Sequence, residues 1–214
     1  YSIGLLNIQT GDSASADTLS TNFSVVRVKR DMLRRSNFGV IYTRRNQLTE
    51  GVGINQVYGA DLTLRFYENI NFTNYYAQTH TPNLEGSNAS YQSKFDYTGD
   101  RYGVQAEHLA VGKNFNPEIG FVRRDNFRRN FAQFRFSPRP RSIPWLRRMI
   151  YQGSFDYITD MTGVLETRES KLRLEMELEN SDKWFVEYTD SFEGLPKEFK
   201  LTSDVILPVG GYNF

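Results

Sequence analysis

The tripeptide GDS at positions 11–13 is the first stretch whose residue types could do chemistry, because a serine in a turn can act as a nucleophile. That chemistry needs a histidine to take the serine proton and a carboxylate to orient the histidine. An Asp three residues before the histidine would complete the set, but Ala77 and Gln105 stand three residues before the two histidines. The polar run TGDSASAD favours an ordinary loop between strands. We therefore predict no catalytic serine.

Metal and acid–base chemistry have little support in the composition. The chain contains two histidines and no cysteines, the residues that transition-metal sites usually recruit. Glu175, Glu177 and Glu179 lie two apart and share a strand face, as the carboxylate pair of a glycosidase could. Any polar strand face gives this spacing, so its specificity is low. We expect no catalytic residue, no metal and no cofactor, and predict that the protein is not an enzyme.

Arginine is concentrated in one block of the chain. Residues 123–148 contain nine arginines and one acid, Asp125, in a sequence that interleaves Arg with Phe. Single-stranded nucleic acid could be bound by such charge and stacking. In a membrane barrel the same pattern gives outward Phe and inward Arg, and the alternation recurs far outside this block. We favour the barrel and no nucleic acid. Arg123, Arg124, Arg128 and Arg129 are the candidates for an electropositive constriction or a plug contact.

The segment KLRLEMELE at residues 171–179 indicates whether helices or strands position the charged side chains. Its residue types all favour a helix. A helix would nevertheless place Leu172 and Met176 nearly opposite Leu174 and Leu178, without one apolar stripe. As a strand, the segment has one apolar and one charged face. We predict a strand between an apolar phase and water.

About a dozen strands are expected and no helix. Two-sided alternation recurs in VYGADLTLRF, YQSKFDYT and MIYQGSFDYI, whereas the facing of the adjacent Tyr75 and Tyr76 stays open. Long connections such as KNFNPEIGFVRRD alternate with short ones such as TGD for most of the chain, and the pattern weakens after Pro138, where SPRPRSIPW is longer than a simple turn. Outer-membrane barrels sort their loops this way, with short periplasmic turns and long external loops.

Composition sets further bounds. The 214 residues suffice for one domain, predicted over 1–214, and the net charge is +1. Mean hydropathy is −0.56, and no apolar run reaches the roughly 18 residues of a transmembrane helix. A membrane barrel hides its apolar residues in alternation. The chain begins at Tyr1 without a leader and enters a predicted strand at residues 2–9, so we expect a segment of a longer chain.

Four stretches carry a family likeness: TNFSVVRVKRDMLRRSNFGVIYTRR, VYGADLTLRF, TGDRYGVQAEHLAVG and NFNPEIGFVRRDNFRRNFAQFRFSPRPR. The chain resembles bacterial outer-membrane proteins with an N-terminal domain similar to family 9 carbohydrate-binding modules and a C-terminal barrel domain of unassigned function. The resemblance spans nearly the whole chain and implies an internal piece of the barrel domain. It transfers no sugar site and no catalytic residue, and it makes the closing GGYNF an internal stretch.

The predicted fold is all-β, a partial antiparallel up-and-down transmembrane barrel of about a dozen strands. The predicted function is transport or export of a solute, glycan or peptide across the bacterial outer membrane, with membrane lipid as partner of the apolar faces. The alternative is a soluble periplasmic β-sandwich or barrel that binds carbohydrate or another ligand, its apolar faces packed into a core.

Overall fold

The computed structural model describes residues 1–12, 19–47, 53–200, 202 and 205–214. Ser13 of the GDS tripeptide lies outside these ranges. Within them the chain forms strands and no helix. The strands are β1 Ser2–Gln9, β2 Thr21–Met32, β3 Ser36–Gln47, β4 Asn55–Phe66, β5 Ile70–His80, β6 Ala89–Thr98, β7 Tyr102–Val111, β8 Phe127–Phe136, β9 Leu146–Asp160, β10 Leu165–Leu178, β11 Lys183–Leu195, β12 Phe199–Lys200, β13 Ile206–Leu207 and β14 Gly210–Asn213.

Twelve strands form one antiparallel sheet whose strand order follows the chain. The order runs from β1 to β11 without a crossover and ends with β14, while β12 and β13 form a separate hairpin. The prediction of an all-β, up-and-down meander of about a dozen strands is confirmed. The order is linear, with β1 and β14 at its two ends, so in the described part of the chain the sheet is not closed into a barrel.

The chain divides into two compact units, and the division passes through β6 and β7. The first unit comprises Tyr1–Ser93 and Leu109–Phe127, and the second comprises Lys94–His108 and Arg128–Phe214.

Hairpin register fixes the two faces of the second unit. On β10, Leu172, Leu174 and Met176 stand opposite Tyr188, Val186 and Trp184 of β11 and opposite Gly153, Tyr151 and Met149 of β9. Paired residues of neighbouring strands share a face, so these side chains form the apolar face of the second unit. Lys171, Arg173 and Glu175 of β10 lie on its polar face. The predicted strand is confirmed, because the two-residue period overrides the helical propensity of the residues.

The first unit has the same two faces. The register places Val26 of β2, Tyr42 of β3 and Tyr58 of β4 in one row, with Val28, Val40 and Ala60 in the next row of this apolar face. The opposite, polar face carries Arg27, Thr43, Arg45, Asn55 and Asp61. Tyr76 pairs with Ala60 and Tyr75 with Asp61, so these adjacent tyrosines lie on opposite faces.

The predicted sorting of the connections holds from β1 to β8. Residues 33–35, 67–69 and 99–101 form three-residue connections at alternate strand ends, and residues 10–20, 48–54, 81–88 and 112–126 form the longer ones between them. The connection 137–145 is long, as the prolines of SPRPRSIPW predict, and the alternation ends there, because residues 161–164 and 179–182 both form four-residue connections.

The described residues bury little apolar surface. Their buried hydrophobic residues are Val57, Ala110, Val111 and Leu146. Nine polar residues are buried: Thr21, Ser36, Thr43, Asn55, Thr79, Ser90, Ser137, Thr159 and Ser191. None of the described segments is a helix with the length and apolar character needed to cross a membrane.

Candidate functional site

The two faces of the second unit have exposures opposite to those of a water-soluble sheet. Leu172, on a strand paired on both sides, is 64% exposed. The side chain of Glu175, on the polar face of the same strand, is only 16% exposed. Soluble proteins cover their large apolar side chains and leave carboxylates in water. The apolar face of this unit is therefore uncovered in the structure, while the polar face is filled by its own side chains.

Ion pairs fill the polar face of the second unit. Arg129 on β8 donates from Nε and Nη2 to the carboxylate of Asp156 on β9, with Nη2 2.7 Å from Oδ2. Its Nη1 lies 3.6 Å from Oε1 of Glu107 on β7. Arg129 thereby bridges three strands, and its guanidinium also lies 5.2 Å from the ring centre of Phe131. A guanidinium held in this fork geometry is a fixed positive charge rather than a mobile one.

The charge network extends along β10 and β11. Arg173 contacts Glu175 at 2.8 Å and Glu187 at 3.2 Å, and Lys171 lies 3.8 Å from Glu187. Arg173 also stacks on Phe185, 4.3 Å from the ring centre. Positive and negative side chains are paired here, so this polar face presents charges of both signs.

The first unit carries a similar pair on its polar face. Nη2 of Arg27 on β2 lies 2.5 Å from Oδ2 of Asp61 on β4. Strand β3 runs between them, and Gly39 occupies the position beneath the pair. The charges of Arg27 and Asp61 on this face are therefore also paired.

A connection folds back across part of that polar face. This folded-back loop comprises residues 112–126 between β7 and β8. Oε2 of Glu118 accepts from Nη1 of Arg45 on β3 at 2.6 Å. The backbone carbonyl of Asn116 accepts from Nδ2 of Asn55 on β4 at 2.8 Å, and the Asn116 N–H donates to Oγ1 of Thr79 on β5 at 3.2 Å. Residues 114–118 therefore cross three adjacent strands.

Burial shows how closely this loop covers the sheet. Asn55 and Thr79 are each 1% exposed, although both lie on the polar face. Asn114 also donates through Nδ2 to the carbonyls of Glu85 and Gly86, which ties the loop to the connection 81–88. A Cβ at Gly112 would lie 2.0 Å from the Ser87 carbonyl oxygen, so only glycine allows the two connections to approach this closely.

The arginines proposed from the sequence are placed in three different settings. Arg123 and Arg124 are exposed residues of the folded-back loop, and the Arg124 guanidinium lies 5.4 Å from the ring centre of Phe127. Residues 115–118 and 120–125 line a hollow of about 380 Å³. Arg129 lies on the polar face of β8, and Arg128, as its neighbour on the strand, points to the opposite side. Arg129 therefore lies on the polar face of β8 and Arg128 on its other face, whereas Arg123 and Arg124 belong to the loop.

Sequence reasoning did not identify Arg45, Asn55, Thr79 or Glu118. Arg45 and Glu118 are 73 positions apart, and nothing in a single sequence indicates that they pair. The stretch KNFNPE offered one usable signal, since its Asn and Pro residues favour a specific folded turn over a simple polar spacer.

Aromatic side chains mark the apolar faces. In the first unit the rings of Tyr42 and Tyr58 lie 5.2 Å apart, and the Tyr58 hydroxyl donates to Oε1 of Gln56 at 2.9 Å, where the apolar rows give way to polar ones. In the second unit Phe136 lies 5.2 Å from Tyr102 and 6.1 Å from Tyr151. Tyrosine with an apolar body and a hydrogen-bonded tip suits a boundary between hydrocarbon and water.

Comparison with known proteins finds no matching family model, no matching curated protein and no matching solved structure. The family resemblance seen in the sequence therefore stays a prediction. Among the described residues no group of three or more His, Asp or Glu is arranged to hold a metal ion.

Proposed function

We propose that this chain forms part of an outer-membrane β-barrel, with its apolar faces against lipid and its polar faces lining an aqueous interior through which a hydrophilic solute passes. The observation that carries the proposal is the inverted exposure of the sheet, with Leu172 open and Glu175 largely covered on one central strand. In a bilayer this arrangement is the stable one, because lipid meets the apolar side chains and paired charges face water.

Strand length and connectivity support the same proposal. Strands β2 to β11 contain between 10 and 15 residues, and a tilted strand needs about 9–11 residues to cross a bilayer. The connections from β1 to β8 alternate between long and short, as they do when turns face the periplasm and loops face the outside. A soluble meander has no physical reason to sort its connections by sheet end.

The proposal includes closure of the sheet. Strand β1 is hydrogen-bonded on one side only, to β2. An open edge in hydrocarbon would leave backbone N–H and C=O groups without partners, at a cost of several kcal/mol each. In the membrane the edge of β1 is therefore paired with another strand, which completes the barrel.

The expected cargo follows from the polar faces. They carry amides, hydroxyls and ion pairs of both signs, such as Arg129 with Asp156 and Arg27 with Asp61. These groups suit a hydrated solute, for example a glycan or a peptide, rather than an apolar one. The family resemblance supports a location in the outer membrane of a Gram-negative bacterium.

Extraction and gel migration of the full-length protein test the membrane assignment. We expect it to require detergent and to migrate faster unheated than heated, because a barrel stays compact in detergent until it is boiled. A monomer that is soluble without detergent would refute the assignment. It would instead favour a periplasmic β-protein that binds carbohydrate or another ligand and covers its apolar faces with protein.

A further inference from the structure

We propose that the folded-back loop, residues 112–126, is the constriction of the passage, held in place by Arg45, Asn55 and Thr79. This inference rests on the proposed function and deepens it, because it names the element that decides which solutes pass. The contacts of residues 114–118 within the first unit support it.

The anchors distinguish this loop from an ordinary surface connection. A loop that joins the ends of two adjacent strands normally extends into water and contacts mainly those two strands. Residues 114–118 instead contact side chains of β3, β4 and β5, on the face of the sheet that also carries the Arg27–Asp61 pair. A connection lying on the polar face occupies part of the volume that this face encloses.

The anchors also make the position specific. The Arg45–Glu118 contact is a charge-assisted hydrogen bond of 2.6 Å between side chains that are both largely covered. The backbone N–H and C=O of Asn116 are both bonded, to Thr79 and Asn55, so the chain at this point is fixed on two sides. Beyond the anchors, the tip of the loop presents Phe121 and Arg123 to solvent. The tip is thus an anchored projection that carries one aromatic side chain, the two cations Arg123 and Arg124, and the carboxylate of Asp125.

Passage of hydrated solutes depends on the narrowest cross-section and on the groups that line it. The loop would set that cross-section, so releasing it should widen the passage without altering the barrel wall. Glu118→Gln keeps the side-chain volume and removes the charge that pairs with Arg45. Arg45→Ala removes the other partner, and the exchange Arg45→Glu with Glu118→Arg restores a pair of reversed polarity. Arg44→Ala is the matched control, because Arg44 neighbours Arg45 on β3 but points to the opposite face.

The experiment is single-channel recording of the full-length protein in planar bilayers, with neutral polyethylene glycols of increasing size as probes of the size limit. Heat-modifiable migration identifies the variants that are folded. We expect Glu118→Gln and Arg45→Ala to raise conductance roughly twofold or more, to admit larger polymers, and to do so more than Arg44→Ala. The charge exchange should return both values toward those of the wild type.

The outcomes separate the inference from the function on which it rests. If the wild type conducts and the anchor variants match Arg44→Ala, the loop is not the constriction, while the proposed passage stands. If the wild type is silent and the anchor variants conduct, the loop closes the passage and the inference holds. If all variants are silent although folded, the proposed passage itself is refuted.

Discussion

Arg27 on β2 and Asp61 on β4 form an ion pair that passes over Gly39 of the intervening strand β3. Their Nη2 and Oδ2 atoms are 2.5 Å apart. A Cβ at Gly39 would lie 2.7 Å from Arg27 Nη2 and 2.8 Å from Asp61 Oδ2, inside any normal contact distance. Because Gly39 has no side chain, Arg27 of β2 and Asp61 of β4 can form a direct ion pair across β3.

Gly39→Ala should break this pair. The new methyl group displaces the Arg27 guanidinium, and we expect a loss of roughly 1 kcal/mol in unfolding free energy, as for a partly exposed ion pair. Thermal unfolding in detergent measures it. The control is Gly4→Ala, whose Cβ would meet only Arg27 Cβ at an ordinary 3.8 Å. In an Arg27→Gln background the cost of Gly39→Ala should largely disappear; an undiminished cost there would mean that backbone strain, not the ion pair, is responsible.

Arg129→Gln should cost more than Arg139→Gln. Arg129 pairs with Asp156 at side-chain exposures of 31% and 22%, whereas Arg139 and Asp100 pair at 53% and 67%. Removing a partner from a covered pair leaves the other charge poorly solvated, so we expect about 1–3 kcal/mol for Arg129→Gln. For the exposed pair the expected loss is below about 1 kcal/mol. Denaturant titration in detergent measures both, and equal losses would show that the polar face is as hydrated as the protein surface.

Single cysteines can report which phase each face meets, because the chain has none of its own. A spin label at Leu172→Cys should be relaxed mainly by oxygen, which concentrates in hydrocarbon. A label at Ser154→Cys, on the polar face beside Lys171, should be relaxed mainly by a water-soluble nickel chelate. Reconstituted vesicles and electron paramagnetic resonance give both values. Chelate-dominated relaxation at position 172 would place the apolar face away from lipid.

Arg123→Gln should reduce any preference of the channel for anions. Arg123 is an exposed cation of the folded-back loop, where a hydrated ion would meet it. Arg128→Gln removes the same charge from the opposite side of β8 to Arg129 and should leave selectivity unchanged. Reversal potentials across a salt gradient measure the ratio of anion to cation permeability. An equal effect of both substitutions, or of neither, would remove Arg123 from the selectivity of the passage.

The strands and their order could be predicted because both depend on local patterns. Leu172, Leu174 and Met176 repeat with a period of two, and turn-forming residues separate the runs. The faces of Tyr75 and Tyr76 could not be predicted, since adjacent aromatics satisfy either phase and only the pairing with Ala60 and Asp61 decides between them.

The candidate site was predictable only in part. A cluster of arginines is visible in the sequence. Which of them lie on the polar face depends on the phase of β8, which places Arg128 and Arg129 on opposite faces. The anchors of the folded-back loop depend on contacts between distant residues, such as Arg45 with Glu118. No periodicity in the sequence indicates such a contact. The role of Gly39 is likewise evident only from the structure, where Arg27 and Asp61 of the two neighbouring strands meet above it.

The small number of buried apolar residues has a consequence for biogenesis. Val57, Ala110, Val111 and Leu146 are the buried apolar residues of the described chain, so under the proposed membrane assignment hydrocarbon supplies the stabilisation that a core supplies elsewhere. Between synthesis and insertion the chain has no such solvent, and its alternating strands are then prone to aggregation. A newly made chain would therefore depend on holdase chaperones during transit and on an insertion machinery at its destination. The time that the unfolded chain spends in water would then depend on how quickly the chaperones deliver it to the insertion machinery.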